Sequence, residues 1–229
     1  MGMGTTGLPW ARRIAAVATL GDSHRRRLFE YVLRAGQPVG RDEAASAMDL
    51  PRSTASFHLD RLVREGLLSV QFRKPAHKTG PGSGRPAKLY SPELQEVTVS
   101  IPERHYDLAG HLMAEAISRF TAQGVPVDAV LGEVAADRGR LSGRPGDFPG
   151  ALRELGYEPS PDESGGYRLR NCPFHRLSQD HEDVVCAMNG AFLRGVASAS
   201  GLPPGAVVPD PGDGHCCARV TPAGNNTER

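Results

Sequence analysis

No cysteine occurs before position 172 of this sequence, and the four that follow, Cys172, Cys186, Cys216 and Cys217, include no CxxC pair. Long apolar runs are missing as well. None approaches the roughly 18–20 residues that a membrane-spanning helix needs, so no membrane partner is expected. The amino terminus, "MGMGTTGLPWARR", has no apolar stretch leading to a small-residue cleavage site, so no secretion signal is read there. Its Gly2 and Thr6 match a myristoylation pattern short enough to arise by chance. The expected compartment is the cytoplasm, where thiols stay reduced. Four cysteines in such a chain point to a metal or redox site more than to a disulfide framework. No phosphate loop, nucleophile elbow, metalloprotease helix or internal repeat is visible, and no enzyme is expected.

What remains is an ordinary globular composition with an uneven charge. The chain has 229 residues, 39% hydrophobic and 23% charged, which suits one large or two small domains. Its net charge of +1 hides a split: residues 1–95 hold 15 Lys and Arg against 8 Asp and Glu, and residues 96–229 hold 12 against 18. A basic front and an acidic back imply that only the front meets a polyanion.

Periodicity organises the front. After a loose tail, 1–9, helical spacing begins at Trp10 and runs through Ile14, Val17 and Ala18. Asp22 can cap "DSHRRRLFEYVLRAG", with Leu28, Phe29, Val32 and Leu33 on one face and Gly36 as its stop. "QPVG" reads as a turn. A short helix from Arg41 to Met48 follows, then a corner at Leu50-Pro51, then a helix over 52–66 with Ala55, Leu59, Leu62 and Val63 inward. Beyond Gly66 the period becomes that of a strand, "LLSVQFR", and a basic Gly/Pro-rich loop leads to a return strand, "RPAKLYSP". Three helices and a basic-tipped hairpin describe a winged helix-turn-helix over residues 10–95. Residues 96–125 read as a linker and an amphipathic helix, a candidate for dimerisation or for packing on the domain that follows. Residues 126–222 form that domain: two helices broken at "SGRPGD", then short strands and a helix near 181–198. Residues 223–229 read as a disordered tail. The fold class is α+β: an N-terminal winged helix-turn-helix domain, a linking dimerisation helix, and a C-terminal α+β sensor domain that contains the cysteines.

The chemistry expected of the front is binding of double-stranded DNA. The amino-terminal end of a recognition helix enters the major groove. There Arg52 can donate twice to a guanine edge or reach a phosphate, and Ser53 and Ser56 can donate to phosphates or base edges. Phe57 and Arg61 share the outward face, and Thr54 and His58 lie at its margins. The wing offers Arg73, Lys74, Lys78, Arg85 and Lys88 to the flanking backbone, a sequence-independent and salt-sensitive contribution. Pro51 stands where a Ser or Thr would ordinarily cap the helix, which the first turn tolerates.

Residues 20–92 resemble the winged-helix domain of ArsR-type bacterial repressors, on the strength of "RSTASFHLDRLVREGLL" and the wing end "GRPAKLY". Beyond residue 125, "LRNCPFHRLSQDHEDVVCAMNGAFLRGV" with the later "CC" resembles the carboxy-terminal part of the ArsR-like group that contains the SUF-operon repressors. The resemblance implies a homodimeric repressor whose operator affinity is controlled by an iron–sulfur cluster held through carboxy-terminal cysteines.

The cysteines themselves leave several readings open. Thiolate suits iron–sulfur clusters and zinc. Cys172, Cys186 and the pair Cys216-Cys217 come from separate segments that folding can gather. Adjacent cysteines tend to diverge, so one of the last pair is expected to join Cys172 and Cys186, with His175 as the candidate fourth ligand. An iron–sulfur cluster is the favoured occupant and zinc the alternative. In that case the regulator carries a structural zinc site and a small-molecule or thiol-redox sensor domain. A disulfide switch is a further possibility, and the plainest is cysteine acting as a small buried hydrophobe.

Overall fold

The computed structural model describes residues 9–73, 86–94, 96–210, 212 and 214–222. The expected wing-tip residues Lys74, Lys78 and Arg85, and the expected tails apart from residue 9, lie outside them. The chain divides between Val99 and Ser100 into two compact units, each described by itself below.

The first unit begins with α1 (Trp10–Thr19), which buries Ala16 and ties Arg13 Nη1 to the carbonyl of Thr98 at 3.2 Å. Helix α2 (Ser23–Arg34) starts where the sequence places its cap: the Asp22 carboxylate accepts the backbone N–H of Arg25 at 3.0 Å. Leu28 and Val32, one turn apart, are its buried face. "QPVG" is more than a turn. Val39 and Gly40 form a short strand, β1 (Val39–Gly40), before α3 (Arg41–Met48). The side chain of Glu43 reaches back to the N–H of Gly40, which holds the start of α3. Asp49 then takes a left-handed conformation (φ 53°), one that a short polar side chain tolerates. That residue breaks the helix and aims the chain into α4 (Arg52–Arg64).

Strands β2 (Leu68–Arg73) and β3 (Ala87–Pro92) pair antiparallel, and β1 adds on the far side of β3, in the order β1-β3-β2. Tyr90 lies opposite both Val39 and Val70 and is fully buried. Leu28, Leu59, Leu62 and Tyr90 close one core between the helices and the sheet.

The second unit is built on three helices, α5 (Tyr106–Gln123), α6 (Val127–Ser142) and α9 (Glu182–Ala199). The helix expected in the linker is therefore part of this unit: α5 buries Ala109, Leu112 and Ala116 and packs on α6. Between α6 and α9 the chain forms α7 (Phe148–Glu154), strands β4 (Pro159–Pro161) and β5 (Tyr167–Leu169), and the short helix α8 (His175–Asp180). Strands β6 (Val207–Pro209) and β7 (Ala218–Val220) follow α9. The sheet order is β4-β5-β7-β6, all antiparallel, so the last strand among the described residues sits in the middle. That topology brings residues near 170 and residues near 216 to one sheet end. Helices α6 and α9 share the most extensive interface of the unit.

Candidate nucleic-acid interface and thiol centre

On α4 the inward stripe Ala55, Leu59 and Leu62 leaves Arg52, Ser53, Phe57 and Arg61 exposed, with Thr54 and Ser56 half-buried. No side chain caps the helix start, which leaves its first amides without a side-chain acceptor, a disposition suited to a phosphate. A cation in the first turn opposes the helix dipole, so Arg52 does not serve helix stability. Its Nε pairs with Asp42 Oδ1 of α3 at 2.5 Å, across the turn, with both side chains exposed. Arg61 pairs with Glu65 one turn on, at 3.0 Å.

Two of the residues expected to contact DNA are engaged within the unit itself. His58 is turned inward, only 8% exposed, with Nδ1 4.0 Å from Asp22 Oδ1 and its ring against those of His24 and Phe57. Burial lowers its pKa, against the pull of Asp22. It packs between α4 and the start of α2, turned away from the exposed face of α4. Lys88, expected in the wing, pairs with Asp60 of α4 and lies 5.2 Å from the centre of the Tyr90 ring. Tyr90 donates its hydroxyl to the same carboxylate at 2.9 Å. Burial alone would raise the pKa of Asp60, but the bonds from Lys88 and Tyr90 outweigh it and the carboxyl is held below its ordinary range. Lys88 thus belongs to a helix-to-strand tie. Arg73 remains exposed at the end of β2.

In the second unit, all four cysteines are free, and each lies next to at least one other. Cys172 follows β5 by three residues. The N–H of Cys216 bonds to the carbonyl of Leu169 at 2.8 Å, which extends the β5–β7 pairing and sets Cys216 beside Cys172. Cys217, the next residue, faces α9. Cys186 and Asn189 lie three positions apart on that helix and so share a face.

The thiols form a string. Cys216 lies within hydrogen-bonding reach of the sulfurs of Cys172 and Cys217, and sharing its one S–H between them pushes its own pKa up, to which burial adds. The bond from Cys216 lowers the pKa of Cys172 against the cost of burial, with help from the N–H of Phe174 and the charge of Arg104. Cys217 accepts from Cys216 first and then, against burial, from Cys186 and Asn189, which brings it down to about 6. Burial, then donation to Cys217, pushes Cys186 up.

Asn189 and Tyr157 complete the surroundings. Asn189 Nδ2 lies 3.1 Å from Cys216 Sγ and 3.8 Å from Cys217 Sγ, and its Oδ1 accepts the Tyr157 hydroxyl. Both cysteines of the adjacent pair thus join the string, although their side chains do point to different partners. His175 stands exposed at the start of α8 and does not enter these sulfur contacts. Among the described residues, no group of three or more His, Cys, Asp or Glu side chains is arranged around a common point as a metal site. The contacts run pairwise, 172 to 216 to 217 to 186.

By donor chemistry the set fits a thiolate-ligated centre: four sulfurs, half to fully buried, with an amide donor aimed at two of them. Sequence reasoning missed Asn189, Tyr157 and Asp42. Only the three-residue spacing of Cys186 and Asn189 on a helix could have pointed to one of them.

A family profile described as a helix-turn-helix domain matches residues 20–71, from the start of α2 into β2. No curated protein and no solved structure matches the chain. Residues 20–71 are thus a helix-turn-helix domain, the module by which transcription regulators bind DNA. Among the described residues, no helix is long and apolar enough to cross a membrane.

Proposed function

We propose that this chain is a homodimeric transcriptional repressor that binds double-stranded DNA through α4, and whose operator affinity is controlled by an iron–sulfur cluster held by Cys172, Cys186, Cys216 and Cys217. The observation that carries this reading is the string of four thiols, drawn from three chain segments and linked pairwise, with one buried amide beside Cys216 and Cys217. A bound cluster would supply a redox- and oxygen-sensitive charge at that point. Zinc is the alternative, because four thiolates alone complete a tetrahedral zinc site. Self-association is supported by Ile117 and Phe120, which stand exposed on α5. Control of DNA binding requires that the loaded thiols favour one dimer geometry over another, since an effector shifts an equilibrium only by its differential affinity.

The test is purification without oxygen after metal-replete expression, with counts of iron, sulfide and zinc, followed by operator binding before and after metal removal. Iron and sulfide with a changed operator affinity is the expected result. Zinc without sulfide selects the alternative. Protein free of all three overturns the metal reading. On the DNA side, Arg52→Ala is expected to weaken operator binding by roughly 1–3 kcal/mol and to relax base preference at one position. Operator affinity equal to the parent's would remove Arg52 from the interface.

A further inference from the structure

Asn189 is the polar side chain that the donor set alone does not explain. It is 0% exposed in the middle of α9. An amide in such a place stabilises nothing unless its polar atoms are bonded. Its oxygen is bonded by Tyr157, itself buried at 1% exposure and rigid by its packing in the core. That leaves the amide hydrogens, and they face sulfur: Cys216 at 3.1 Å and Cys217 at 3.8 Å. Both sulfurs belong to adjacent residues, a pair whose side chains diverge along a strand and which would ordinarily not serve one centre together. Two thiolates side by side also repel each other. A neutral donor between them eases that repulsion without adding a charge to the core.

We propose that Asn189 is the positioning residue of the sulfur centre. Its amide, aimed by Tyr157, donates to Cys216 and Cys217 and lets both act as thiolate ligands of one bound metal. This rests on the reading of the thiols as metal donors. A purely structural role, in which Asn189 only satisfies the Tyr157 hydroxyl, makes a different prediction, because it leaves the electronic character of the sulfurs untouched.

Reduced, metal-free, full-length protein titrated with Co(II) without oxygen separates the two. The parent is expected to show sulfur-to-cobalt charge-transfer absorption. Asn189→Leu keeps the approximate shape but removes the donor. It is expected to bind Co(II) about 10–100-fold more weakly. Its charge-transfer band is expected at lower energy, because a sulfur lone pair that loses a hydrogen bond is more easily ionised. Tyr157→Phe keeps the amide but frees it to turn, and is expected to shift affinity and band in the same direction by less. Parent-like affinity and band position in both variants would overturn the proposal. If Asn189→Leu does not fold, Tyr157→Phe decides alone, and an unshifted band there overturns it. A parent protein with no charge-transfer band is a separate result: it removes the metal reading, and this proposal with it.

Discussion

Gly195→Ala is expected to destabilise the second unit by about 3 kcal/mol or more, beyond the usual range for an added methyl group in a core. A Cβ at Gly195 would sit 2.1 Å from the carbonyl oxygen of Ala136 and 2.9 Å from the N–H nitrogen of Arg140. Both obstacles are backbone of α6, so no side chain can swing aside. The relation is reciprocal: a Cβ at Gly139 on α6 would lie 2.0 Å from the carbonyl oxygen of Phe192 on α9. The two helices therefore touch backbone to backbone at a pair of glycines, and a methyl group at either must drive them apart. Separation would open the packing of Phe192 and Val196, which are buried on that side of α9. It would also move the helix that carries Cys186 and Asn189.

Gly190, five residues before Gly195 on the same helix, provides the control. A Cβ there would meet only the tip of the Arg194 side chain at 3.3 Å, which can turn away. Gly190→Ala is expected to be neutral or stabilising by up to about 1 kcal/mol, the helix preference of alanine over glycine. Denaturant unfolding of the two variants beside the parent measures the difference. Equal midpoints for Gly195→Ala and Gly190→Ala would show that the helices are not in backbone contact.

The parts of the fold that were legible in the sequence share a cause. Asp22 and the Arg41–Met48 helix were readable because capping and helical spacing act within a few residues. The return strand 87–92 was readable because its residues follow a Gly/Pro-rich loop. Where a residue's role depended on a distant partner, the reading failed or stayed open. His58 sits between Ala55 and Leu59, at an angle on the helix that favours neither face, and in the fold it turns in beside the ring of His24. Lys88 looked like a wing cation because its neighbours are basic. Its strand places it beside Asp60, and that carboxylate holds it. β1 is two residues long, too short to show any period, and exists because β3 offers it an edge.

At the sulfur site, the sequence leads one to expect three segments meeting at one centre, whereas the contacts run pairwise. Cys216 and Cys217 do diverge, as neighbours in an extended chain must. The divergence links the string instead of breaking it, since one faces Cys172 and the other faces α9.

That order makes Cys216→Ser the most consequential single change at the site. Cys216 is 0% exposed and is the thiol through which Cys172 joins the others. It is also the nearer sulfur to Asn189. Serine offers a harder oxygen that remains protonated at neutral pH, a poor replacement for thiolate toward iron or zinc. The loss of metal affinity is expected to exceed the roughly 10–100-fold that removal of a supporting hydrogen bond produces, leaving the purified protein without iron or zinc. Operator affinity should then stop responding to metal removal, while the first unit still binds DNA, because its core of Leu28, Leu59, Leu62 and Tyr90 does not include the thiols. Cys186→Ser alters the other end of the string, a half-exposed thiol bonded to Cys217 alone, and is expected to reduce metal content less. Full metal content in Cys216→Ser, or a greater loss in Cys186→Ser, would mean that the bound group is organised around α9 and not around the sheet end where Cys172 and Cys216 meet.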